Sequence, residues 1–265
     1  MNPTCRINRT LLYGEGLFET LRVYHGRRVP LLQAHRRRMA RGAEALGFPF
    51  SAPAFEEAVE TALKEIPEEQ EARLRITLEV FGEEKAEESQ LSTHWSPLTG
   101  GDHRSTEGVR ILLAPFQRSS SSPLLQFKTT NYFENSYARR WAKGQGFDDA
   151  LFLNERGEVS EATTANILLI HRRRLITPPL SVGLLPGIAR HFLLLSADQI
   201  GLSPEERIVT LQELQEAEEI LLSNAVVEVL PVQEIAGAFT RSPPFGWAKS
   251  LRAAYRENIF LWEKK

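Results

Sequence analysis

The chain has 265 residues, 25% charged and 42% hydrophobic, with a formal net charge of -2 at neutral pH. That is an ordinary globular mix, long enough for one large domain or two moderate ones, and its balanced charge excludes a global pull toward nucleic acid or a membrane surface. A single cysteine, Cys5, excludes an intrachain disulfide and fits a reducing compartment, while no long apolar run and no basic-then-apolar start is present. A soluble, cytoplasmic protein is the expectation.

Gly16 to Tyr24 predicts a strand, and His25-Gly26-Arg27 a turn into a second strand ending near Pro30. Leu32 to Leu46 predicts a helix stopped by Gly47, and Pro53 to Ile66 a second helix ended by Pro67. Arg73 to Val80 alternates at period two, the pattern of a half-buried strand, and Val109 to Ala114 is a further apolar strand. Between them, Gly82 to Glu107 is polar and reads as a long irregular loop. Ser119-Ser120-Ser121-Ser122-Pro123 predicts a domain linker.

Asn131 to Gln145 predicts a helix closed by Gly146. Asp149 to Leu153 and the segment from Glu158 flank Asn154-Glu155-Arg156-Gly157, a hairpin turn. Asn166 to Ile170 and Arg174 to Thr177 form another strand pair, and Gly187 to Ile200 an amphipathic helix with Gly201 after its end. Glu219 to Ser223 and Val226 to Val232 are strand-like, and Phe245 to Leu261 closes the chain as a helix. Strands and helices in mixed order place the chain in the α+β class.

Two segments carry chemistry. Lys128 lies in Gln126-Phe127-Lys128-Thr129-Thr130-Asn131-Tyr132, and Glu161 in Glu161-Ala162-Thr163-Thr164-Ala165-Asn166. Taken singly, a lysine is most often a solvated surface group and a glutamate an exposed strand carboxylate. Here Leu124-Leu125-Gln126-Phe127 leads the ammonium into a partly buried place. Burial favours the free amine, the form that condenses with a carbonyl. A Schiff-base lysine plus an acidic partner for a pyridinium nitrogen is what a pyridoxal 5'-phosphate (PLP) enzyme must supply.

The wording and spacing of both segments resemble the class-IV (fold-type IV) aminotransferase family, from about Leu11 to about Val232. The resemblance implies an α+β, two-domain fold of the D-amino-acid aminotransferase type. The N-terminal domain would span 1–118, a linker 119–124 and the PLP-bearing domain 125–265, with the cofactor in the cleft between domains. It further implies a homodimer acting on a small-molecule substrate, with no nucleic-acid or membrane partner. Relatives usually carry an extra N-terminal strand before Leu11-Leu12-Tyr13-Gly14, so the first domain is expected to lack or disguise it.

By the same resemblance, Lys128 holds PLP as a Schiff base and shuttles the proton, and Glu161 pairs with the ring nitrogen. A carboxylate there keeps the pyridinium protonated and the ring an electron sink. Asn166 orients that region. Arg38, in Ala34-His35-Arg36-Arg37-Arg38-Met39 where the family has His-x-x-Arg-Leu, binds the phosphate. His35 is structural, and Arg36 and Arg37 are solvated helix charges. Leu185-Pro186-Gly187-Ile188-Ala189-Arg190 resembles the family's phosphate loop, usually ending Gly-Ile-Thr-Arg. Ala189 replaces the threonine, leaving the backbone amides of Ile188 and Ala189 at a helix start to hold the anion. Ser223-Asn224-Ala225 resembles the second phosphate segment, through Asn224 and Ala225.

Other readings are weaker. Arg172-Arg173-Arg174 is a solvated tip, the serine run lacks a Gly-x-Ser-x-Gly frame, and no His/Cys/Asp cluster has metal-ligand spacing. Gly14-Glu15-Gly16 precedes a strand, the wrong context for dinucleotide binding. His94, Trp95, His103 and Arg104 are candidates for substrate contact.

Three activities share the family scaffold: branched-chain aminotransferase, D-amino-acid aminotransferase and 4-amino-4-deoxychorismate lyase. Asn131 stands three residues after Lys128, one fewer than the Lys-x-Gly-Gly-Asn of branched-chain enzymes. Gly14 to Arg22 resembles the lyase and D-amino-acid branches, with Thr20 at the glycine of the branched-chain Phe-Glu-Gly, and Leu222-Ser223-Asn224-Ala225 resembles the lyase. All three signals point to the lyase. Phe81-Gly82-Glu83-Glu84-Lys85 departs from the Arg-Gly pattern of many relatives, in a loop near the substrate carboxylate in the family.

Overall fold

The computed structural model describes residues 7–98 and 107–262, and Cys5, His103 and Arg104 lie outside them. The described residues fall into two units. The first holds everything before residue 99 together with Phe127–Tyr132, and the second holds the rest.

In the first unit, strands β1 (Gly16–Val23), β2 (Ala72–Phe81) and β3 (Glu88–Pro97) form an antiparallel sheet in the order β1-β2-β3. A short helix, α1 (Arg9–Tyr13), precedes it, and α2 (Leu32–Leu46) and α3 (Ala52–Glu65) pack on it. Period-two alternation sends Leu17, Leu21, Val23, Leu74, Ile76 and Leu78 into one core with Met39, Ala43, Phe55 and Val59 of the two helices. Glu19 shares the parity of Leu17 and Leu21, so it too points at α2. Phe18, Thr20, Arg75 and Thr77 take the opposite face.

Strand β3 corrects the sequence expectation for Gly82 to Glu107. Its polar residues pair with β2 from Phe81↔Glu88 to Ala72↔Pro97. An edge strand half-open to water needs little apolar alternation, so composition hid it. The expected second strand near Pro30 is absent; His25–Arg27 forms a 3-10 turn and Tyr24 makes only an isolated bridge with Arg28.

The second unit is built on a nine-stranded sheet. Its strands are β4 (Val109–Leu113), β5 (Asp149–Leu153), β6 (Val159–Ala162), β7 (Asn166–His171), β8 (Arg174–Thr177), β9 (Ser203–Glu206), β10 (Glu219–Ser223), β11 (Leu230–Ile235) and β12 (Phe239–Thr240). The path β10-β11-β4-β5-β6-β7 closes on itself because β10 also pairs with β7, from Glu219↔Ile170 to Ser223↔Asn166. Closure removes two edges and surrounds a core that includes Ile111, Leu151, Val159, Ile167, Leu169, Ile220, Leu222 and Val232. Helix α4 (Phe133–Gly144) covers β5 through Ala138, Ala142, Ala150 and Phe152. Helices α5 (Ile188–Ser196), α6 (Leu211–Glu216) and α7 (Gly246–Trp262) complete the unit.

The division differs from the expected 1–118 and 125–265. Ser119–Pro123 is not a loose linker, because Arg118 N–H donates to Leu153 O at 3.0 Å and the Ser120 amide and hydroxyl both donate to Glu155 at 2.7 Å. Phe127–Tyr132, with Lys128, groups with the first unit. Phe18 N–H donates to Lys128 O at 2.8 Å and Thr130 N–H to Gly16 O at 2.9 Å, extending β1 by a short strand-like edge. Strand β11 starts at Leu230 rather than Val226, since the Asn224 carboxamide oxygen accepts from Val226 and Val227 N–H and turns the chain first.

Candidate active site

Each unit carries one cluster of candidate residues. In the first, Lys128 is half-buried on the edge segment beside β1, its Nζ 4.3 Å from the Phe18 ring centroid. The Arg75 guanidinium carbon lies 3.7 Å from the same centroid, and the Tyr132 ring meets Phe18 edge-on at 5.5 Å. Burial pushes the Arg75 pKa down, with Tyr132 opposing. Its one side-chain hydrogen bond goes to Thr77 Oγ1 at 3.3 Å, and among the described residues no carboxylate pairs with it.

Behind Phe18, Glu19 is the acceptor of a buried triad. His35 Nδ1 donates to Oε2 at 2.7 Å, Arg38 Nη2 to Oε2 at 2.6 Å and Arg38 Nε to Oε1 at 2.8 Å. Residues 35 and 38 are three apart on α2 and so present to one neighbour. An ionised carboxylate only accepts, so Nδ1 carries the hydrogen. Burial alone would raise the Glu19 pKa, but Arg38 and His35 overcome it and hold it at about 2. His35 is pushed down by burial, against Glu19 and with Arg38 and Lys128 adding to the depression. The imidazole is therefore neutral at pH 7.

In the second unit, Glu161 sits at the end of β6, 7% exposed, with donors on both oxygens. Asn166 Nδ2 donates to Oε2 at 3.0 Å, the Leu185 N–H to Oε2 at 3.3 Å, and Arg118 Nη1 to Oε1 at 3.4 Å. Asn166 Nδ2 also reaches Leu185 O at 3.0 Å, and a Cβ on Gly187 would fall 1.8 Å from Asn166 Oδ1. One carboxamide thus binds Glu161 to the segment that starts α5. Gly187 is the N-cap of that helix with no side-chain cap, so the first-turn amides of Ile188 and Ala189 lack intrahelical partners. Asn224 Nδ2 donates to Thr164 O at 3.0 Å, drawing the turn at 224–225 to the 163–164 turn.

The same turn is held from below. Thr163 Oγ1 donates to Asp149 in a short hydrogen bond, Thr164 Oγ1 donates to Asp149 at 3.3 Å, and Asn135 Nδ2 to Thr163 O at 2.7 Å. Burial raises the Asp149 pKa, opposed by Thr163 and Arg139.

Lys128 and Arg38 therefore lie in the first unit, and Glu161, Asn166, Ile188, Ala189, Asn224 and Ala225 in the second. Sequence reading missed Arg118, Asp149 and Asn135, which nothing local marks, and gave Glu19 no role although it stands in the quoted Phe18-Glu19-Thr20. His94 pairs with Arg75 across β2 and β3, and Trp95 packs against the first core. Arg172 and Arg173 form the exposed tip of the β7–β8 hairpin, both at positive φ.

The group a PLP site must hold is polar at both ends, and the second cluster has matching chemistry. Ser223, opposite Asn166 across β10 and β7, has a buried Oγ with no hydrogen-bond partner among the described residues. A buried hydroxyl without a partner is costly unless something else accepts or donates there.

Comparison with known proteins agrees with this chemistry. The sequence profile described as Amino-transferase class IV matches residues 16–235. An aminodeoxychorismate lyase from Bacillus subtilis is 27% identical over 94% of this chain and 87% of its own length. Branched-chain-amino-acid aminotransferase 6 from Arabidopsis thaliana is 31% identical over 85% of this chain and 68% of its own. The crystal structure of a branched-chain aminotransferase from Thermoproteus uzoniensis superposes with a TM-score of 0.84, at 28% identity, covering 97% of this chain and 89% of that one.

Proposed function

The chain belongs to the class-IV aminotransferase family, whose enzymes work with PLP, and on that premise we propose that it cleaves 4-amino-4-deoxychorismate to 4-aminobenzoate and pyruvate. The observation that carries the choice within the family is the three-residue step from Lys128 to Asn131. It is built into the first unit: Thr130 Oγ1 donates to Gly14 O at 2.8 Å, and Asn131 packs on Gly14, where a Cβ would lie 3.0 Å from the Asn131 Cβ. An inserted residue, as in branched-chain enzymes, would break that register. Thr20 and Asn224-Ala225 support the same branch.

In this reading Lys128 binds the cofactor covalently and carries the proton taken from the amine-bearing carbon. Glu161 faces the ring nitrogen, with Asn166 orienting it. Arg38, the Ile188 and Ala189 amides and the Asn224-Ala225 turn serve the phosphate. When bound, PLP supplies the electron sink. Substrate and products are isomeric in sum, so the cleavage needs no co-reactant. The ring gains aromaticity as the ether C–O bond breaks and the enol becomes pyruvate. Among the described residues no carboxylate pairs with the half-buried Arg75 guanidinium, which supports a substrate bearing carboxylates.

The alternative is an aminotransferase acting on branched-chain or D-amino acids, the first of which is favoured by branched-chain relatives of similar identity. The deciding experiment supplies enzymatically generated aminodeoxychorismate with no keto-acid acceptor and follows 4-aminobenzoate and pyruvate. Equal release of both supports the lyase. No product, together with amino transfer once a keto acid is added, replaces it with the aminotransferase. The reading also includes a homodimer, carried over from the resemblance, and a cytoplasmic location, expected from the composition and the single cysteine, and sedimentation of the purified protein tests the first. Among the described residues no helix is long and apolar enough to cross a membrane.

A further inference from the structure

Arg118 occupies a place that the proposed chemistry does not use. It is 5% exposed, with its guanidinium carbon 3.5 Å from the Phe152 ring centroid, Nη2 donating to Asn135 Oδ1 at 2.6 Å and Nη1 to Glu161 Oε1 at 3.4 Å. Glu134, largely exposed, approaches Nε at 3.7 Å. Asn135 itself donates to Thr163 O, so the cation cannot drift from Glu161 without breaking a part-buried chain of hydrogen bonds. The arrangement is a rigid positive charge against the one carboxylate assigned to the ring nitrogen.

A buried carboxylate facing a pyridine nitrogen has two arrangements with the same number of protons. Either the carboxylate is ionised and the nitrogen protonated, or the proton rests on the carboxylate and both groups are neutral. Burial favours the neutral pair. A fixed cation in contact with the carboxylate reverses that preference. It attracts the carboxylate at contact distance and repels the nitrogen, which lies beyond the carboxylate, less strongly, because Coulomb energy falls with distance. Asn166 and the Leu185 amide donate to Oε2 and add to the ionised form.

We infer that Arg118 is a positioning residue that keeps Glu161 ionised, and so keeps the shared proton on the ring nitrogen of the bound cofactor. The inference rests on the assignment of Glu161 to that nitrogen. Its consequence is that the strength of the electron sink is set one residue behind the carboxylate.

The test reconstitutes the apoprotein with PLP carrying a nitrogen-15 ring label and reads the ring shift, which separates protonated from unprotonated nitrogen without reference to turnover. Wild type is expected to give the protonated shift. Arg118→Gln and Arg118→Met, which remove the charge, are expected to move it to the unprotonated position. Arg118→Lys, which keeps a cation, is expected to stay protonated. In parallel, a cofactor analogue with a C–H in place of the ring nitrogen measures how much binding runs through that atom. Wild type should prefer PLP by roughly tenfold or more, and the neutral variants should lose most of that preference. An unprotonated nitrogen in wild type would sink the Glu161 assignment itself. A protonated wild type with equally protonated neutral variants overturns the role of Arg118 and leaves Glu161 standing. Should neither neutral variant fold, Arg118→Lys still decides, since a folded protein with an unprotonated ring contradicts the charge argument.

Discussion

Arg38 grips Glu19 through two N–H groups, Nε to Oε1 at 2.8 Å and Nη2 to Oε2 at 2.6 Å, around a carboxylate that is 1% exposed. The pair joins α2 to β1 inside the first unit, and His35 Nδ1 adds a third donor. Glu19→Ala strands a buried guanidinium and an imidazole without their acceptor and is expected to cost about 3–5 kcal/mol. Glu19→Gln keeps one acceptor oxygen and should lose less. Denaturant midpoints of the two variants measure this, and an unchanged midpoint in Glu19→Ala would mean that the pair contributes nothing in solution.

The same triad sets the acid sensitivity of the fold. Glu19 has a folded pKa near 2 against an ordinary 4.5, so its contribution is complete above 4.5 and disappears as pH falls toward 2. His35 is depressed from 6.5, so below that value the unfolded chain takes up a proton that the folded chain refuses, and stability falls. Asp149 works the other way. Its raised pKa makes protonation easier in the folded state, which offsets part of the loss as pH falls from above its folded value toward 3.8. Unfolding free energy should therefore begin to decline below about 6.5 and decline again below about 4.5. His35→Gln should remove the first step and keep the second, and a profile identical to wild type would refute the assignment of that step.

Lys128→Ala is expected to abolish covalent attachment of the cofactor. Borohydride treatment of wild type should fix PLP to the chain, and mass analysis should place it on residue 128. In the variant the added mass should be absent and turnover should fall by about four orders of magnitude or more. Reduction that still fixes PLP in the variant would move the Schiff base to another lysine.

Arg75 offers a test of what the substrate carries. Replacing it with Gln removes a half-buried charge that no carboxylate among the described residues balances, so stability should hold or rise slightly. Affinity for a carboxylate-bearing substrate should fall, with KM raised roughly tenfold to a hundredfold and kcat less affected. An unchanged KM would remove Arg75 from substrate binding.

What was legible in the chain followed from strong local rules. Leu32–Leu46 has helical periodicity and a glycine stop, and the helix found has those bounds. Arg73 to Val80 alternates strictly, and the strand found is Ala72–Phe81. Strand β3 escaped because its inward face offers only Leu91 and Trp95 in a run of Glu, Ser, Gln, Thr and His, too few to betray a period of two. The serine run looked like a linker because Ser120 finds its partner 35 residues on, in Glu155, which no local window contains. Lys128 was placed in the wrong unit for a related reason: its register is set by β1, more than a hundred residues earlier in the chain. Arg118 was invisible because a buried arginine is recognised only by what surrounds it, and Glu161, Asn135 and Phe152 meet it only in three dimensions.

Gly187 provides the sharpest test of how the second cluster is held. Its backbone is unstrained, with φ -68 and ψ 129, so alanine is allowed there by conformation. The obstacle is the Asn166 carboxamide oxygen, 1.8 Å from where the new methyl would stand. That oxygen ends a side chain and can swing away, but only by pulling Asn166 Nδ2 from Glu161 Oε2 and Leu185 O. Gly187→Ala should thus cost about 1–3 kcal/mol of stability through two lost buried hydrogen bonds. It should weaken PLP binding more than a neutral surface change in α5 does, because both the Glu161 orientation and the α5 amides are disturbed together. Asn166→Ala alone, with Gly187 kept, should reproduce the effect on Glu161, and the double variant should be less than additive because both changes break the same bonds. Additive losses in stability and PLP affinity would show that Gly187 and Asn166 act independently, against the contact described here.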